Sequence, residues 1–279
     1  MNIDLHCHSH FSDGKHSLQF LIARAISNNI THLAITDHDC IDAFAGYDSN
    51  QADIELISGV EISCHWQELE IHIIGLQFRL DHTDLTSLLR AQQTKRRERL
   101  LSIDTRLSSL GTTGLSSYLQ SLPCVSVTRS HMADFLVQTG LCKDHQKAFK
   151  KYLGKGGRIY HPADWCSLEK AISTINLAGG IAVLAHPGRY PLSKRKLETL
   201  LSDFKDVGGE ALEVSYSNID PSSKLLLSKL AREKQLYCSV GSDFHDADAH
   251  WTDIGKFPAL DSEAKKNAIW LHPKWHSTN

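Results

Sequence analysis

The sequence predicts an α/β fold, a parallel sheet or barrel carrying a helical insertion, and three observations predict it. Short apolar, β-branched runs alternate with helical patterns, the signature of βα units. Histidines and carboxylates recur where the runs end. One stretch, residues 81–162, breaks the alternation and reads as mostly helical.

The elements follow in order. Residues 17–28 read as a helix with Leu18, Leu21, Ile22 and Ala25 on one face. Residues 32–36 form a predicted strand ending in Asp37-His38-Asp39, and residues 54–60 another ending at Glu61. A strand at 70–76 contains His72. Within the insertion, amphipathic runs cover 85–110 and 129–139, and a basic run covers 147–158. The rhythm then resumes with a helix at 168–177 and a strand at 180–185 ending at His186. A strand at 211–214, a helix at 222–234 and a strand at 236–240 follow, the last ending in Gly-Ser-Asp243-Phe-His245. The expected organisation is a first barrel part at 1–80, a helical insertion domain at 81–162 and a second barrel part at 163–279.

Composition narrows the class. A chain of 279 residues is long enough for a full core. No apolar run approaches the ~20 residues of a membrane span, and the beginning lacks a signal-peptide pattern. A cytoplasmic location without membrane partner is therefore expected, and no obligate protein partner is evident. Seven cysteines without a CxxC pair argue for reduced thiols rather than a disulfide frame or zinc ribbon. Charge is unevenly placed: residues 88–160 hold 13 Lys/Arg against 4 Asp/Glu, and the rest holds 17 against 28. An acidic body suits a carboxylate-rich metal site, and a basic segment beside it suits a phosphorylated substrate. Trp165, Trp251 and Trp270 read as core residues.

The candidate chemistry starts at Asp4-Leu-His-Cys-His-Ser-His-Phe-Ser-Asp13-Gly14. In an extended segment residues i and i+2 share a face, so His6 and His8 project together while Cys7 turns to the opposite face. Two neutral imidazoles on one face are half of a site for a borderline divalent metal. Collecting the strand-end residues gives His6, His8, Asp13, His38, Glu61, His72, His186, Asp243 and His245. Nine such positions exceed the needs of one tetrahedral ion and suit two or three, with Glu61 free to bridge. Asp37 and Asp39 flank His38, either orienting imidazoles or serving as turn carboxylates.

The ordered set HxH, SDG, TDHD, GVEIS, a strand histidine, AHPGR and GSDFH resembles the polymerase and histidinol phosphatase (PHP) superfamily. Within it, EIHIIGL at 70–76, QQTKRR at 92–97, TRSH at 128–131, FKKYL at 149–153 and VLAHPGRY at 183–190 resemble one branch in particular. That branch contains 3′,5′-nucleoside bisphosphate phosphatases and 5′→3′ exoribonucleases of the RNase AM type. The resemblance implies a distorted (β/α)7 barrel with a small helical insertion domain, and three divalent metals, manganese first and iron or zinc as alternatives. Carried over by position, His6, His8, Glu61 and Asp243 hold the first ion. Glu61, His72 and His186 hold the second, and Asp13, His38 and His245 the third. The attacking hydroxide would be held by the ions at Glu61, Asp243 and His186.

The implied substrate is a nucleotide or short single-stranded RNA with a 5′-phosphate. Arg129 opens the TRSH helix, where a helix N-terminus already favours an anion, with His131 within reach and Arg189 as a second cation. The leading expectation is a phosphoesterase that converts pAp to AMP and phosphate and trims 5′-phosphorylated RNA to mononucleotides. Two alternatives are a small-metabolite phosphomonoesterase of the histidinol-phosphatase type and a non-catalytic metal-binding module.

Overall fold

Among the described residues, seven strands succeed one another around one sheet, and an eighth short strand joins its side. These are β1 (Ile3–Asp4), β2 (His32–Ile35), β3 (Glu55–Trp66), β4 (Leu69–Leu76), β5 (Cys166–Ser167), β6 (Ile181–Leu184), β7 (Ala211–Tyr216) and β8 (Tyr237–Gly241). The sheet runs β1-β2-β3-β4-β6-β7-β8, with β5 paired to β3. It is nearly closed: the Leu5 amide donates to the Val240 carbonyl at 3.2 Å, and Cys7 bridges Phe244. The description comes from a computed structural model and covers residues 2–45 and 54–276.

The sheet is mixed rather than parallel. β3 pairs antiparallel with β4, and β4 antiparallel with β6; the other pairs are parallel. The cause is a two-residue connection, Gln67-Glu68, too short for the crossover that a parallel pair needs. Gln67 takes a positive φ of 53°, the hairpin requirement that Asn or Gly usually announces, which is why the sequence pattern hid it. The hairpin also lengthens β3, so that Glu61 lies inside the strand rather than at its end.

The helices α1 (Leu18–Ser27), α6 (Leu168–Leu177), α7 (Lys194–Asp206) and α8 (Pro221–Glu233) cover the barrel. Each begins at a capping side chain, Ser17, Ser167, Ser193 and Asp220, that accepts an amide of the first turn. The helix α7 was absent from the sequence pattern as read, although Leu197, Leu200, Leu201 and Phe204 are spaced to bury one face. A short α9 (Ser262–Lys265) lies near the end. Buried Ile62, Ile71, Ile73, Val183, Leu212 and Val240 belong to the barrel core.

Between β4 and β5 lie α2 (Thr83–Ser109), α3 (Leu115–Gln120), α4 (Arg129–Gln138) and α5 (His145–Ala148), the last running into a π-helical turn at Phe149–Leu153. They enclose an apolar cluster of their own, including Ile103, Leu107, Met132, Leu136, Leu153 and Ile159. The 27-residue α2 serves both: Leu85, Leu88 and Leu89 pack in the barrel core, and Leu100, Ile103 and Leu107 in the helical one. At 1.5 Å per residue it is a ruler of about 40 Å joining the two. Trp165 is buried as expected, with the guanidiniums of Arg96 and Arg99 4.9 and 5.7 Å from its ring. Trp251 is not a core residue; it is 66% exposed on the loop after β8.

Candidate metal centre

All nine His/carboxylate positions converge in one cup. His6 and His8 follow β1 in extended chain, and their Nε2 atoms lie 3.1 Å apart. Cys7 between them points away into a different cluster, its Sγ 3.4 Å from the Ala34 carbonyl. In the β3–β4 register Ser63 faces His72, so Glu61, two residues before Ser63, shares that face with His72. His72 Nδ1 and His186 Nε2 approach Glu61 Oε1 at 2.9 and 3.0 Å. Asp243 Oδ1 stands 3.1 Å from His8 Nε2 and 3.3 Å from His6 Nε2. Asp13 Oδ1 faces His245 Nε2 at 3.3 Å and His38 Nε2 at 3.6 Å.

Among the described residues, four overlapping groups have donor atoms all within 4.8 Å of one another: His8, Asp13, His38 and His245; His6, Glu61 and His186; His6, His8 and Asp243; and His38, Glu61 and His72. His6, His8, His38 and Glu61 each belong to two groups, so the cup is one continuous donor field rather than three separate cages.

The donor set fits divalent cations, and the unsatisfied atoms say so. Glu61 Oε2 has nitrogens of His38, His8 and His6 at 3.0, 3.4 and 3.5 Å and accepts a hydrogen bond from none of them. Asp13 Oδ1, His38 Nδ1 and His186 Nδ1 are likewise buried without a hydrogen-bond partner. Buried polar atoms are rarely left so unless an ion completes them. Six imidazoles with three carboxylates and no thiolate suit manganese, iron or zinc alike.

Charge in the cup is balanced internally. Burial alone raises the carboxyls of Asp13, Glu61 and Asp243, yet the surrounding imidazoles, joined at Asp243 by the Arg189 guanidinium, hold all three well below the ordinary carboxylate range. Burial likewise opposes protonation of His6, and Glu213, Asp243 and Glu61 overcome it, so its pKa lies well above 6.5. Burial opposes charge on His245 as well, but Asp13 and Asp243 push it up to about 9. For His38 and His186 burial wins and their pKa values fall.

Backbone geometry is also unusual here. Asp39, His186 and Asp243 hold positive φ values of 49, 30 and 52°, conformations that cost of order 1–3 kcal/mol each and cluster where a site over-determines them. Gly241 lets β8 approach the first histidine: a Cβ there would lie 2.2 Å from the Cβ of His6.

The flanking carboxylates turn out to be loop anchors, the second of their two expected roles. Asp37 accepts from Ser9 N at 2.8 Å and from the Ser9 and Ser12 hydroxyls at 2.5 Å, pinning the turn that carries Asp13. Asp39 binds Arg96 of α2 through Nε at 3.0 Å and Nη2 at 2.5 Å, and also accepts from Ser63 N. Two buried residues went unnoticed in sequence. Glu213 lies in β7, its Oε1 3.0 Å from His6 Nδ1 and its Oε2 accepting the His186 amide at 2.6 Å. Arg96 was hidden in a basic helical run. A lone glutamate inside the apolar Ala-Leu-Glu-Val strand was the available signal for Glu213.

The predicted substrate contacts separate. Arg129 begins α4 and pairs with Glu70 at 3.2 Å. The cap of that helix is tied to the cup, since Thr128 Oγ1 donates to Asp13 Oδ2 at 2.9 Å. His131 completes the cap by accepting the Thr128 amide at Nδ1, 3.1 Å. Arg189 forms an ion pair with Asp243 and lies over the Tyr216 ring.

A nearly closed α/β barrel around a buried imidazole–carboxylate cup defines a class: barrel hydrolases of the PHP type. Residues 4–214 match the PHP domain family, and the chain belongs to it. It is 40% identical over 258 residues to a 5′-3′ exoribonuclease of Haemophilus influenzae, covering 91% of this chain and 93% of that one. It is 36% identical over 263 residues to a 3′,5′-nucleoside bisphosphate phosphatase of Chromobacterium violaceum, covering 91% and 90%. Among solved structures, an amidohydrolase from Chromobacterium violaceum with bound sulfate and no metal superimposes with TM-score 0.89 at 34% identity, over 97% of this chain and 95% of the other. Among the described residues no helix is long and apolar enough to cross a membrane.

Proposed function

We propose that this chain is a metal-dependent phosphoesterase for 5′-phosphorylated nucleotides, hydrolysing the 3′-phosphate of bisphosphates such as pAp and trimming short RNA from its 5′ end. The observation that carries the reading is the single cup of nine converging donors with the N-terminus of a helix tied to its edge through Thr128 and Asp13. The relatives named as exoribonuclease and as bisphosphate phosphatase support it from both sides.

The proposed ligand sets are His6, His8, Glu61 and Asp243; Glu61, His72 and His186; and Asp13, His38 and His245, with manganese as the first choice. Bound there, divalent ions neutralise phosphate charge and lower the pKa of water. The chain's own groups do the rest. Glu213 accepts from His6 Nδ1, which keeps a proton on that nitrogen and turns Nε2 toward the cup. Arg129 supplies a fork for a terminal 5′-phosphate in exchange for its pairing with Glu70, at the positive end of α4. A 5′-phosphate anchored there brings the next phosphorus over the cup in both pAp and RNA, so one geometry serves both substrates. We assign the helical segment at 81–162 as the unit that presents this anchor and a cytoplasmic setting as its place of work.

Manganese-loaded protein is expected to convert pAp to AMP and phosphate and to release mononucleotides from 5′-phosphorylated oligoribonucleotides. If both substrates survive, the proposal fails. Arg129→Ala should impair 5′-phosphorylated substrates far more than 5′-hydroxyl ones; equal loss on both removes Arg129 from the anchor.

A further inference from the structure

We infer that Trp251 is the platform on which the base that follows the scissile phosphorus stacks, and that it sets the preference for RNA over a bisphosphate; the inference rests on the function proposed above. A cleft of ≈ 550 Å³ contains Asp13, Asp243 and His245 of the cup in its lining. Ser130 of α4 contributes to that lining from the helical side, and Asn218 and Trp251 from the loops after β7 and β8. The two contributions differ in chemistry. The α4 side lines the cleft with Ser130 and with Asp134, whose carboxylate is paired by Lys15 and His145, and the same helix begins at Arg129, whose guanidinium can receive a phosphate. The loop after β8 offers Asp246, Asp248 and the indole of Trp251, where carboxylates repel a phosphate and an uncharged base is admitted.

The indole is available. Trp251 is 66% exposed, whereas Trp66, Trp165 and Trp275 are buried and Trp270 is partly buried. The loop carrying it is anchored on both sides: Thr252 Oγ1 donates to Ser217 Oγ at 3.0 Å, and Lys256 Nζ to the His250 carbonyl at 2.9 Å. An aromatic face displayed on an anchored loop loses little entropy when a base stacks on it, and stacking accepts any base. With the 5′-phosphate at α4 and the scissile phosphorus over the cup, the remaining RNA leaves across the rest of the cleft, toward Trp251. In pAp nothing follows that phosphorus, so the bisphosphate has no base to place there.

The test compares kcat/KM for a 5′-phosphorylated triribonucleotide with that for pAp. W251A should lower the RNA-to-pAp ratio about tenfold, the size of one base–aromatic stack, through KM rather than kcat. W251F should restore most of it. A triribonucleotide lacking the base at its second position should show the same loss in the wild type and no further loss in W251A. An unchanged ratio in W251A, or an abasic loss that persists in it, overturns the inference while leaving the proposed function standing. A wild type inert on both substrates overturns the proposed function instead. Binding gives an independent readout: the triribonucleotide should quench a fluorescence component of the metal-free protein that W251A lacks, and equal quenching in the two proteins overturns the stack.

Discussion

The Glu213 carboxylate lies 3.0 Å from His6 Nδ1 and, through its other oxygen, accepts the His186 amide at 2.6 Å. One buried side chain therefore orients the His6 imidazole and holds the backbone of His186, a residue far away in sequence. Glu213→Gln keeps the shape but offers an NH2 to one of two donors, so one hydrogen bond becomes a donor–donor contact. Outer partners of metal-binding histidines typically change affinity 10–100-fold. Manganese titration of E213Q should show a loss of that size with the fold intact by circular dichroism. Unchanged affinity would show that Glu213 does not orient His6.

Metal loading should stabilise the fold measurably. A ligand at a hundred times its Kd adds about 2.7 kcal/mol, roughly 5–10 °C in Tm for a chain of this size. Manganese should raise the wild-type Tm by that order and a chelator should reverse it. Glu61→Gln, which removes an oxygen shared by two proposed ligand sets, and Asp243→Asn, which removes one from the first, should lose most of the shift and nearly all hydrolysis. A full shift in E61Q would remove Glu61 from the proposed ligand sets.

The ion pair of Asp39 with Arg96 joins the loop after β2 to α2, and Arg96 Nη1 also donates to the Val127 carbonyl at 3.1 Å, just before the α4 cap. Arg96→Ala leaves Asp39 buried and uncompensated, which costs about 3–5 kcal/mol in such settings. Urea unfolding should register that loss. The double variant D39N/R96M should recover part of it, because no charge is then stranded. If R96A is as stable as the wild type, the pair does not hold the helical layer to the barrel.

Much of this was legible in sequence, for physical reasons. The His6/His8 pair declares a shared face through the two-residue period of extended chain, and the candidate ligands after β2, β6 and β8 sit where βα loops of barrels converge. Helices with Ser or Asp caps and 3.6-residue patterns, such as Leu18–Ser27 and Leu168–Leu177, were read to within a residue. The β3–β4 hairpin was hidden because its turn, Gln67-Glu68, lacks the usual turn residues. Glu213 and Arg96 act across more than 50 residues of sequence, and their partners emerge only once the sheet closes. Trp251 misled because an aromatic in a mixed segment has no periodic neighbours to reveal its exposure.

At the opposite side of the chemistry, Glu210, just before β7, ties down the segment around His272 and Lys274. Lys274 Nζ lies 2.9 Å from its carboxylate and also donates to the Gly180 carbonyl at 2.9 Å, while His272 Nε2 approaches at 3.4 Å. Burial raises the Glu210 pKa, but the His272 and Lys274 contacts outweigh it and the net shift is downward from 4.5. The folded state therefore binds fewer protons than the unfolded chain in mild acid, and its stability rises with pH across that window. The contribution is complete above the unfolded value and disappears as pH falls below 4.5 through the folded value. For a partly exposed pair it amounts to about 0.5–1 kcal/mol. Glu210→Gln should be less stable than the wild type by that amount near pH ~6 and equal to it near pH ~3. Urea titrations of both proteins without metal, at the two pH values, measure it, and a difference that is constant with pH would mean that the carboxylate charge contributes nothing.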